Sequence, residues 1–361
     1  MAANAFPVNN MNVSVAVNYD FDGDGDEDLF VGARSVPYSY GANPQSYLYQ
    51  NDGHGNFTDI TSVLNADIAK AGMITGAVWA NVAGDSTKEL IITGEWMATR
   101  IFQYNKLTKK LEELHQTNLQ NLFGWWQTIV AADINGDNLT DLVIGNIGEN
   151  FYLHPDDKNP VKLWVNDFDN NGSTDQFLTR TIGGKDLPVF LRKEITDQFP
   201  SLKKENFKSD DYARKTIQDL FNKDIVKRST VKTFNFCSSI VAINNGNGNF
   251  TIQKLPAIIQ LSSVNAISVT DINSDKHPDL IIGGNLFGFP PQFGRLDASY
   301  GNIMLNNGKG EFTLVDPKNS GLCLVGEIKD IKEISGKNKK YVLIVRNDLY
   351  PAVYKINSKS Y

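Results

Sequence analysis

Acidic side chains crowd into one short stretch near the start of the chain, DFDGDGDEDLFVG, which begins at Asp20. Its carboxylates at positions 1, 3, 5 and 9 are Asp20, Asp22, Asp24 and Asp28. Alternate residues can point inward, and glycine permits a sharp turn, so several hard oxygens would surround one point. The backbone carbonyl of Asp26, at position 7, adds another donor. Ca²⁺ takes about six to eight oxygen ligands, whereas Mg²⁺ keeps its waters in a tight octahedron, so the stretch predicts a calcium loop.

The same spacing recurs three times, in DINGDNLTDLVIG, DFDNNGSTDQFLT and DINSDKHPDLIIG. Asparagine at the third or fifth position keeps an oxygen ligand and lowers the charge. The predicted side-chain ligands of these copies are Asp133, Asn135, Asp137 and Asp141; Asp167, Asp169, Asn171 and Asp175; and Asp271, Asn273, Asp275 and Asp279. The position-7 residues are Leu139, Ser173 and His277. About four Ca²⁺ sites are therefore expected.

Two alternatives compete with a calcium loop of this kind. An EF-hand needs a bidentate glutamate at position 12 and a helix after the loop. Position 12 instead holds Val31, Ile144, Leu178 or Ile282, and a strand pattern follows, which excludes the EF-hand. The other alternative is a solvated Asp/Asn-rich turn without an ion. Four copies in register favour calcium over it.

Two further copies are degenerate. NVAGDSTKELIITG, from Asn81, has Ala83 at the third position and is expected to bind no ion. DIKEISGKNKKYVLIV, from Asp330, keeps only the strand pattern. Its Lys332 is expected to place an ammonium group where the cation would lie.

A second motif follows several copies and reads as strand, Asn/Gly turn, strand, which is typical of a hairpin. It occurs as YLYQNDGHGNFTDI, VAINNGNGNFTIQ and IMLNNGKGEFTLV, and more weakly as IFQYNKLTKKLEEL. Four strands in roughly 50 to 60 residues bury only one face of a small sheet, so successive units must stack. Radial stacking predicts an all-β fold, a single β-propeller of six or seven four-stranded blades over residues 1–361.

One segment, residues 186–232, is rich in lysine and lacks strand alternation. It predicts a helical insertion within the fourth blade, separating the Asp167 loop from the hairpin at Val241. The short spacing from Asp133 to Asp167 predicts that the third blade lacks its outer hairpin.

Composition limits the class of protein. The chain has 361 residues, a net charge of −6 and no basic stripe, which argues against a nucleic-acid partner. No stretch approaches the roughly 18 apolar residues of a transmembrane helix. The N-terminus lacks the basic start and apolar core of a signal peptide, so an export signal is expected to precede this sequence. Cys237 and Cys323 are expected to be buried thiols rather than a disulfide.

At these loops and strands the sequence resembles the FG-GAP/VCBS repeat family, calcium-loop β-propellers also found in integrin α-subunits. GWWQTIVAADINGD, VNDFDNNGSTD and PPQFGRLDASYGNIMLNNGKG also resemble the C-terminal region of bacterial surface proteins that carry an ASPIC/UnbV domain. The resemblance implies Ca²⁺ and an extracytoplasmic location, secreted or at the cell surface or outer membrane. It also implies that other domains of a larger parent chain are partners.

A ligand surface is expected where aromatic side chains gather on loops. The candidates are Trp125, Trp126, Phe287, Phe289, Phe293, Arg295, Asp297 and Tyr300. Self-packing of these rings is the alternative. A similar aromatic loop spans residues 35–49. The chain has no recognisable nucleophile arrangement, so we expect a non-enzymatic module that binds a protein or glycan. A polysaccharide lyase or hydrolase, or a lectin, is the alternative.

Overall fold

The computed structural model describes residues 6–204, 208–337 and 339–357. Strands account for 41% of the chain and helices for 12%, so the protein is all-β, with several four-stranded antiparallel sheets. None of the helices in the described ranges has the length and apolar character needed to cross a membrane. Both cysteines are free; Cys237 is half-buried and Cys323 is exposed, so the expectation of two buried thiols is wrong for Cys323.

Five sheets pack in a row, and we number them 1 to 5. Sheet 1 contains Asn12–Tyr19, Asp28–Ser35, Tyr47–Asn51 and Phe57–Asp59. Sheet 2 contains Met73–Ala80, Glu89–Met97, Arg100–Asn105 and Lys110–Glu113, with Gly124–Trp125 paired to the end of its second strand. Sheet 3 contains Thr128–Ala132, Asp141–Gly145, Ile240–Asn244 and Phe250–Lys254. Sheet 4 contains Val264–Thr270, Asp279–Gly284, Asn302–Asn306 and Phe312–Leu314. Sheet 5 contains Ile328–Gly336, Lys339–Arg346 and Ala352–Ile356.

A sixth sheet, called the inserted sheet, is formed by the part of the chain that lies between the second and third strands of sheet 3. Its strands, in spatial order, are Lys185–Pro188, Asp175–Ile182, Val161–Asn166 and Thr230–Phe234. The α-helices of the molecule are Thr61–Leu64, Arg192–Gln198, Ser209–Ala213, Ile217–Leu220, Lys223–Arg228 and Pro317–Ser320. The 3₁₀ helices are Ile68–Lys70, Pro200–Lys203, Ile259–Leu261 and Pro291–Phe293.

Glycines in the first and second strands let neighbouring sheets approach closely. A Cβ on Gly32 of sheet 1 would lie 2.8 Å from Ile74 of sheet 2, and one on Gly145 of sheet 3 would lie 2.3 Å from the Val264 carbonyl of sheet 4. Real Cβ atoms do not come so close. The glycine that ends the DLxxG stretch is therefore required where the first strand of the next sheet crosses it.

The apolar second strands are buried because each lies inside its sheet and is covered on both faces. Asp141–Gly145 is buried at every residue, which explains its uninterrupted apolar sequence. Separate clusters of buried side chains fill the spaces between sheets 1 and 2, 2 and 3, 3 and 4, and 4 and 5. Sheets 1 to 5 thus stack face to face, with a separate core at each interface.

The prediction for the third repeat is wrong. Its outer hairpin is present, because Leu142 pairs with Ala242 and Ile144 pairs with Ile240. The hairpin at Val241 therefore completes the Asp133 sheet and does not belong with the Asp167 loop. The two ends of the inserted segment meet at Asn146, whose N–H donates to the Ser239 hydroxyl at 2.9 Å. This contact lets sheet 3 resume where it was interrupted.

The segment predicted as a helical insertion interrupts the inserted sheet. Its helices lie between residues 192 and 228, whereas residues 186–188 and 230–232 are strand residues. Phe199, Ile217 and Leu220 from this segment pack against Phe168 and Phe177 of the inserted sheet. The helices therefore cover one face of that sheet. Its other face contacts sheets 1 and 2 through Leu163, Val165 and Phe234.

Candidate metal centre

Each of the four predicted loops joins the first and second strands of its repeat. They lie in sheet 1 (Asp20), sheet 3 (Asp133), the inserted sheet (Asp167) and sheet 4 (Asp271). All four share one backbone conformation, with left-handed residues at corresponding positions, such as Gly23, Gly136 and Ser274. The four copies of the sequence motif therefore adopt the same backbone conformation.

The first acid of each loop organises the loop backbone. Asp20 accepts hydrogen bonds from the N–H groups of Gly23 (2.8 Å), Asp24 (3.2 Å) and Gly25 (3.0 Å). Asp133 and Asp271 accept three equivalent bonds, and Asp167 accepts two. Backbone N–H groups stabilise the ionised carboxylate, so this residue folds the loop whether or not an ion is present.

The third and fifth positions form short turns of their own. In the first loop the N–H of Asp26 donates to Asp24 at 3.0 Å, and the Gln50 side chain donates to Asp22 at 2.8 Å. The pKa of Asp22 is raised by its burial and by the negative charge of Asp24. A cation close to this carboxylate would therefore stabilise its ionised form.

The ninth-position acid joins the loop to the third strand. Asp141 is fully buried and accepts from the N–H groups of Ile134 (2.8 Å) and Asn244 (2.7 Å). Asp279 does the same with Ile272 and Asn306, both at 2.9 Å. From the sequence these acids were predicted only as metal ligands; in the structure they hold two strands together.

Asp28 departs from this pattern. Its Oδ1 accepts the Asn51 N–H at 3.0 Å, but its buried Oδ2 makes no hydrogen bond of ordinary geometry. Burial raises the pKa of Asp28 to about 6, although the amides of Asn51 and Phe21 lower it in part. Burial also raises the pKa of Asp141, Asp175 and Asp279. A buried carboxylate oxygen without a partner is costly unless a cation or a proton satisfies it.

Two of the four loops bring three carboxylates together. Oxygens of Asp20, Asp22 and Asp28 lie within 4.8 Å of one another, and so do those of Asp167, Asp169 and Asp175. Like charges at this separation repel, and a divalent cation between them reverses the sign of the interaction. Together with the orphaned oxygen of Asp28, this donor set fits Ca²⁺.

The loops of sheets 3 and 4 have asparagine in place of aspartate at the third position. Asn135 donates from its amide to Asp137, and Asn273 donates to Asp275, each at 2.8 Å. The amide N–H group donates to the carboxylate and so partly compensates its negative charge. A metal would require each amide to turn its oxygen inward, so we expect weaker binding at these two loops.

The position-7 residues differ in their side chains. The carbonyls of Asp26, Leu139, Ser173 and His277 accept no hydrogen bond from any residue in the described ranges, which leaves each oxygen available as a ligand. The His277 ring packs against the hairpin glycine Gly308. Its position in the loop is therefore explained by packing.

The degenerate copies replace the metal loop in two ways. In the Asn81 loop, Glu89 takes the ninth position, is fully buried and accepts from the amides of Val82 (2.8 Å) and Ala83 (3.1 Å). In the last copy no acidic loop exists, because Asp330 lies inside the strand Ile328–Gly336. Lys332 is 3.5 Å from Asp330 on an exposed face, so its ammonium does not replace a loop cation.

Asparagines at the hairpins join neighbouring sheets and were missed from the sequence. The Asn306 amide donates to the Ile134 carbonyl in the loop of sheet 3 (2.7 Å) and to Pro278 in its own loop (3.1 Å). Asn244 donates likewise to Val82 and to Thr140, both at 3.0 Å. The repeated Asn-Asn-Gly of the hairpins was the available signal.

The predicted ligand-surface residues are mostly packed against one another. Trp126 is fully buried between sheets 2 and 3. Trp125 is half-buried and stacks on Phe234 (5.3 Å between centroids) and Phe289 (6.4 Å), while Phe293 stacks on Tyr152.

The outer part of that surface is exposed. Arg295 lies over the Phe287 ring at 4.7 Å and pairs with Asp297 at 3.2 Å. Tyr300 is exposed, and its carbonyl accepts the Leu324 N–H at 2.7 Å.

A family model for an FG-GAP-like repeat matches residues 20–92. This range runs from the first acidic loop through the rest of sheet 1 to the second strand of sheet 2. No curated protein matches the chain. This part of the chain is therefore similar to an FG-GAP-like repeat.

Among solved structures, Sqt1 of Saccharomyces cerevisiae is 13% identical, with 91% of this chain and 69% of that one covered and a TM-score of 0.37. The exotype rhamnogalacturonan lyase YesX is 12% identical, with coverage of 97% and 57% and a TM-score of 0.36. BBS1N in complex with ARL6DN is 9% identical, with coverage of 98% and 96% and a TM-score of 0.27. Similarity this low transfers neither a fold nor an activity.

Proposed function

We propose that this chain is a calcium-stabilised, non-enzymatic β-propeller module that binds a protein or glycan ligand outside the cytoplasm. The observation that carries the proposal is the shared geometry of four acidic loops. Two of them hold three carboxylates within 4.8 Å, and one leaves a buried carboxylate oxygen unpaired. Stacked small sheets with the same inter-sheet contacts support a propeller in which each repeat is a blade.

The loop residues of each repeat would hold the ion, and the ion would supply positive charge that the carboxylates lack. Without it, repulsion within each loop loosens the connection between the first two strands. Binding to the folded chain alone then stabilises the fold by mass action. The ninth acid transmits this effect to the third strand through the amides of Asn51, Asn244 and Asn306.

An extracytoplasmic location, at the cell surface or in a secreted protein, follows from the proposed ion. Extracellular modules bind Ca²⁺ with dissociation constants of about 10⁻⁴ to 10⁻³ M, concentrations that a cytosol does not maintain. We also propose that the chain works beside other domains of a larger surface protein, as its resemblance to ASPIC/UnbV-associated proteins implies. In this module the loop acids would serve as ligands and would carry no catalytic role.

Thermal unfolding tests the proposal. The melting temperature is compared in excess chelator, in millimolar Ca²⁺ and in millimolar Mg²⁺. We expect Ca²⁺ to raise it by several degrees over chelator and Mg²⁺ to have a much smaller effect. Equal melting temperatures in chelator and in Ca²⁺ would contradict the proposed role of the ion.

A further inference from the structure

A cleft lies where the inserted sheet contacts sheets 1 and 2, away from the acidic loops. Its volume is about 430 Å³, and its walls include Asn43, Trp96, Arg100, Gln120 and Lys232. Its walls therefore come from sheet 2, the inserted sheet and the aromatic loop of residues 35–49 in sheet 1. Ligand pockets commonly form at such junctions between structural units.

Lys232 is the unusual residue of this cleft. It lies on the strand Thr230–Phe234, on the same face as the fully buried Phe234, and its side chain is only 9% exposed. Its only hydrogen-bond partner in the described ranges is the side-chain oxygen of Asn43, and no carboxylate in those ranges lies within ion-pair distance. Burial lowers the pKa of Lys232 to about 8. A buried ammonium group without a counter-ion is costly, and an anion that enters the cleft removes the cost.

The other charges of the cleft do not neutralise Lys232. Arg100 and Glu113 form a bidentate pair, with Nε to Oε1 at 2.7 Å and Nη2 to Oε2 at 2.5 Å. This pair is internally balanced, so the cleft keeps one uncompensated positive charge. Glu95, which precedes Trp96 in the same strand, is already engaged by Arg34 and Tyr40.

Trp96 lines the cleft in a strained backbone conformation, and its buried ring packs against Trp125 and Phe234. Its φ is +58°, a left-handed value that is rare for a bulky residue, and its indole N–H donates to the Tyr40 hydroxyl at 2.9 Å. Such strain persists only where the surroundings enforce it, and it concentrates at binding sites. The remaining polar residues of the lining include Asn43, Gln120 and Thr233.

We propose that this cleft binds a small polyhydroxylated ligand with one anionic group, an acidic sugar or a sugar phosphate, with Lys232 as its counter-ion. The lone ammonium selects the negative charge. The polar groups of Asn43, Gln120 and Thr233 match ligand hydroxyls, and the half-buried Phe123 of the lining matches the apolar face of a ring. This inference goes beyond the proposed calcium module and does not depend on its ions.

Isothermal titration of the full chain with four probes tests the proposal: glucuronate, glucose 6-phosphate, inorganic phosphate and uncharged glucose. We expect glucuronate or glucose 6-phosphate to bind at least about tenfold more tightly than glucose. Binding of glucuronate alone assigns a carboxylate, and binding of glucose 6-phosphate alone assigns a phosphate. Tight binding of inorganic phosphate with neither sugar acid bound, or no saturable binding of any anion, would overturn the proposal.

Two variants with the same change in charge separate the cleft from the surface. Lys232→Met keeps an apolar stem and should lose at least about tenfold in affinity, whereas Lys227→Met, on the exposed face of the last helix of the insertion, should retain wild-type affinity. Equal affinity in Lys232→Met and wild type would exclude Lys232 as the counter-ion.

A measurement on the unmodified chain covers the case in which the variant does not fold. Amine acylation followed by peptide mapping reports the accessibility of each lysine. Saturating ligand should lower the acylation of Lys232 several-fold and leave that of Lys227 unchanged. Equal acylation of Lys232 with and without ligand would count against the site.

Discussion

Asp141→Asn separates the structural role of the ninth-position acid from its role as a metal ligand. Asp141 is fully buried, and each carboxylate oxygen accepts one backbone N–H, from Ile134 and from Asn244. Asparagine offers one oxygen, so its amide N–H₂ must face a backbone donor. One charge-assisted bond, of about 1.5 to 3 kcal/mol, is lost, and the backbone N–H and the new amide group are both left unpaired, at a further cost of at least about 1 to 3 kcal/mol. Relief from burying a charge offsets part of this sum, so we expect a loss of about 3 kcal/mol.

Urea unfolding in excess chelator measures this loss without any contribution from a bound ion. Asp137→Asn is the matched control, because Asp137 lies in the same loop but is exposed. We expect the control to change the free energy of unfolding by less than about 0.5 kcal/mol in chelator. Both variants should reduce the stabilisation that Ca²⁺ confers. A loss below about 1 kcal/mol for Asp141→Asn in chelator would refute the strand-joining role.

Three further predictions concern the contacts between sheets and the cleft. Gly145→Ala places a Cβ against the Val264 carbonyl, so we expect a lower melting temperature and a loss of about 2 kcal/mol or more, whereas Gly288→Ala, in open space, should be close to neutral. Asn306→Ala removes four side-chain hydrogen bonds, one of them to sheet 3, and should cost about 2 to 3 kcal/mol in urea unfolding; a cost below about 0.5 kcal/mol would contradict the inter-sheet bond. The pKa of Lys232 is about 8 in the folded chain and about 10.4 in the unfolded chain. Between these pH values the unfolded chain binds one more proton, so the stability of the wild type relative to Lys232→Met should rise with pH by up to about 3 kcal/mol. A flat difference over this range would contradict the burial of the charge.

The loops were predictable because their signal is local. Asp20 and its counterparts each bond to amides within five residues, so the spacing alone determines the turn. Glycine at the end of the DLxxG stretch was visible as well, but its role required knowledge of which strand crosses it. The role of Asp141 in joining two strands could not be predicted from the sequence, because its partner Asn244 lies 103 residues away.

The order of the strands was less predictable than their number. The hairpin at Val241 follows the Asp167 loop in the chain, and nothing in its sequence states that it pairs with Asp141–Gly145. Edge strands offer the same backbone groups to any neighbour, so the junction at Asn146 decides the pairing. Lys232 was hidden for a similar reason, because an alternating strand sequence does not show which face a lysine occupies.

Crystals grown in millimolar Ca²⁺ and examined for anomalous scattering test the central claim most directly. We expect peaks beside Asp20, Asp133, Asp167 and Asp271, with stronger occupancy at the first and third of these loops, and none at the degenerate Asn81 loop. Four empty loops under these conditions would contradict the assignment of the acidic repeats as calcium sites.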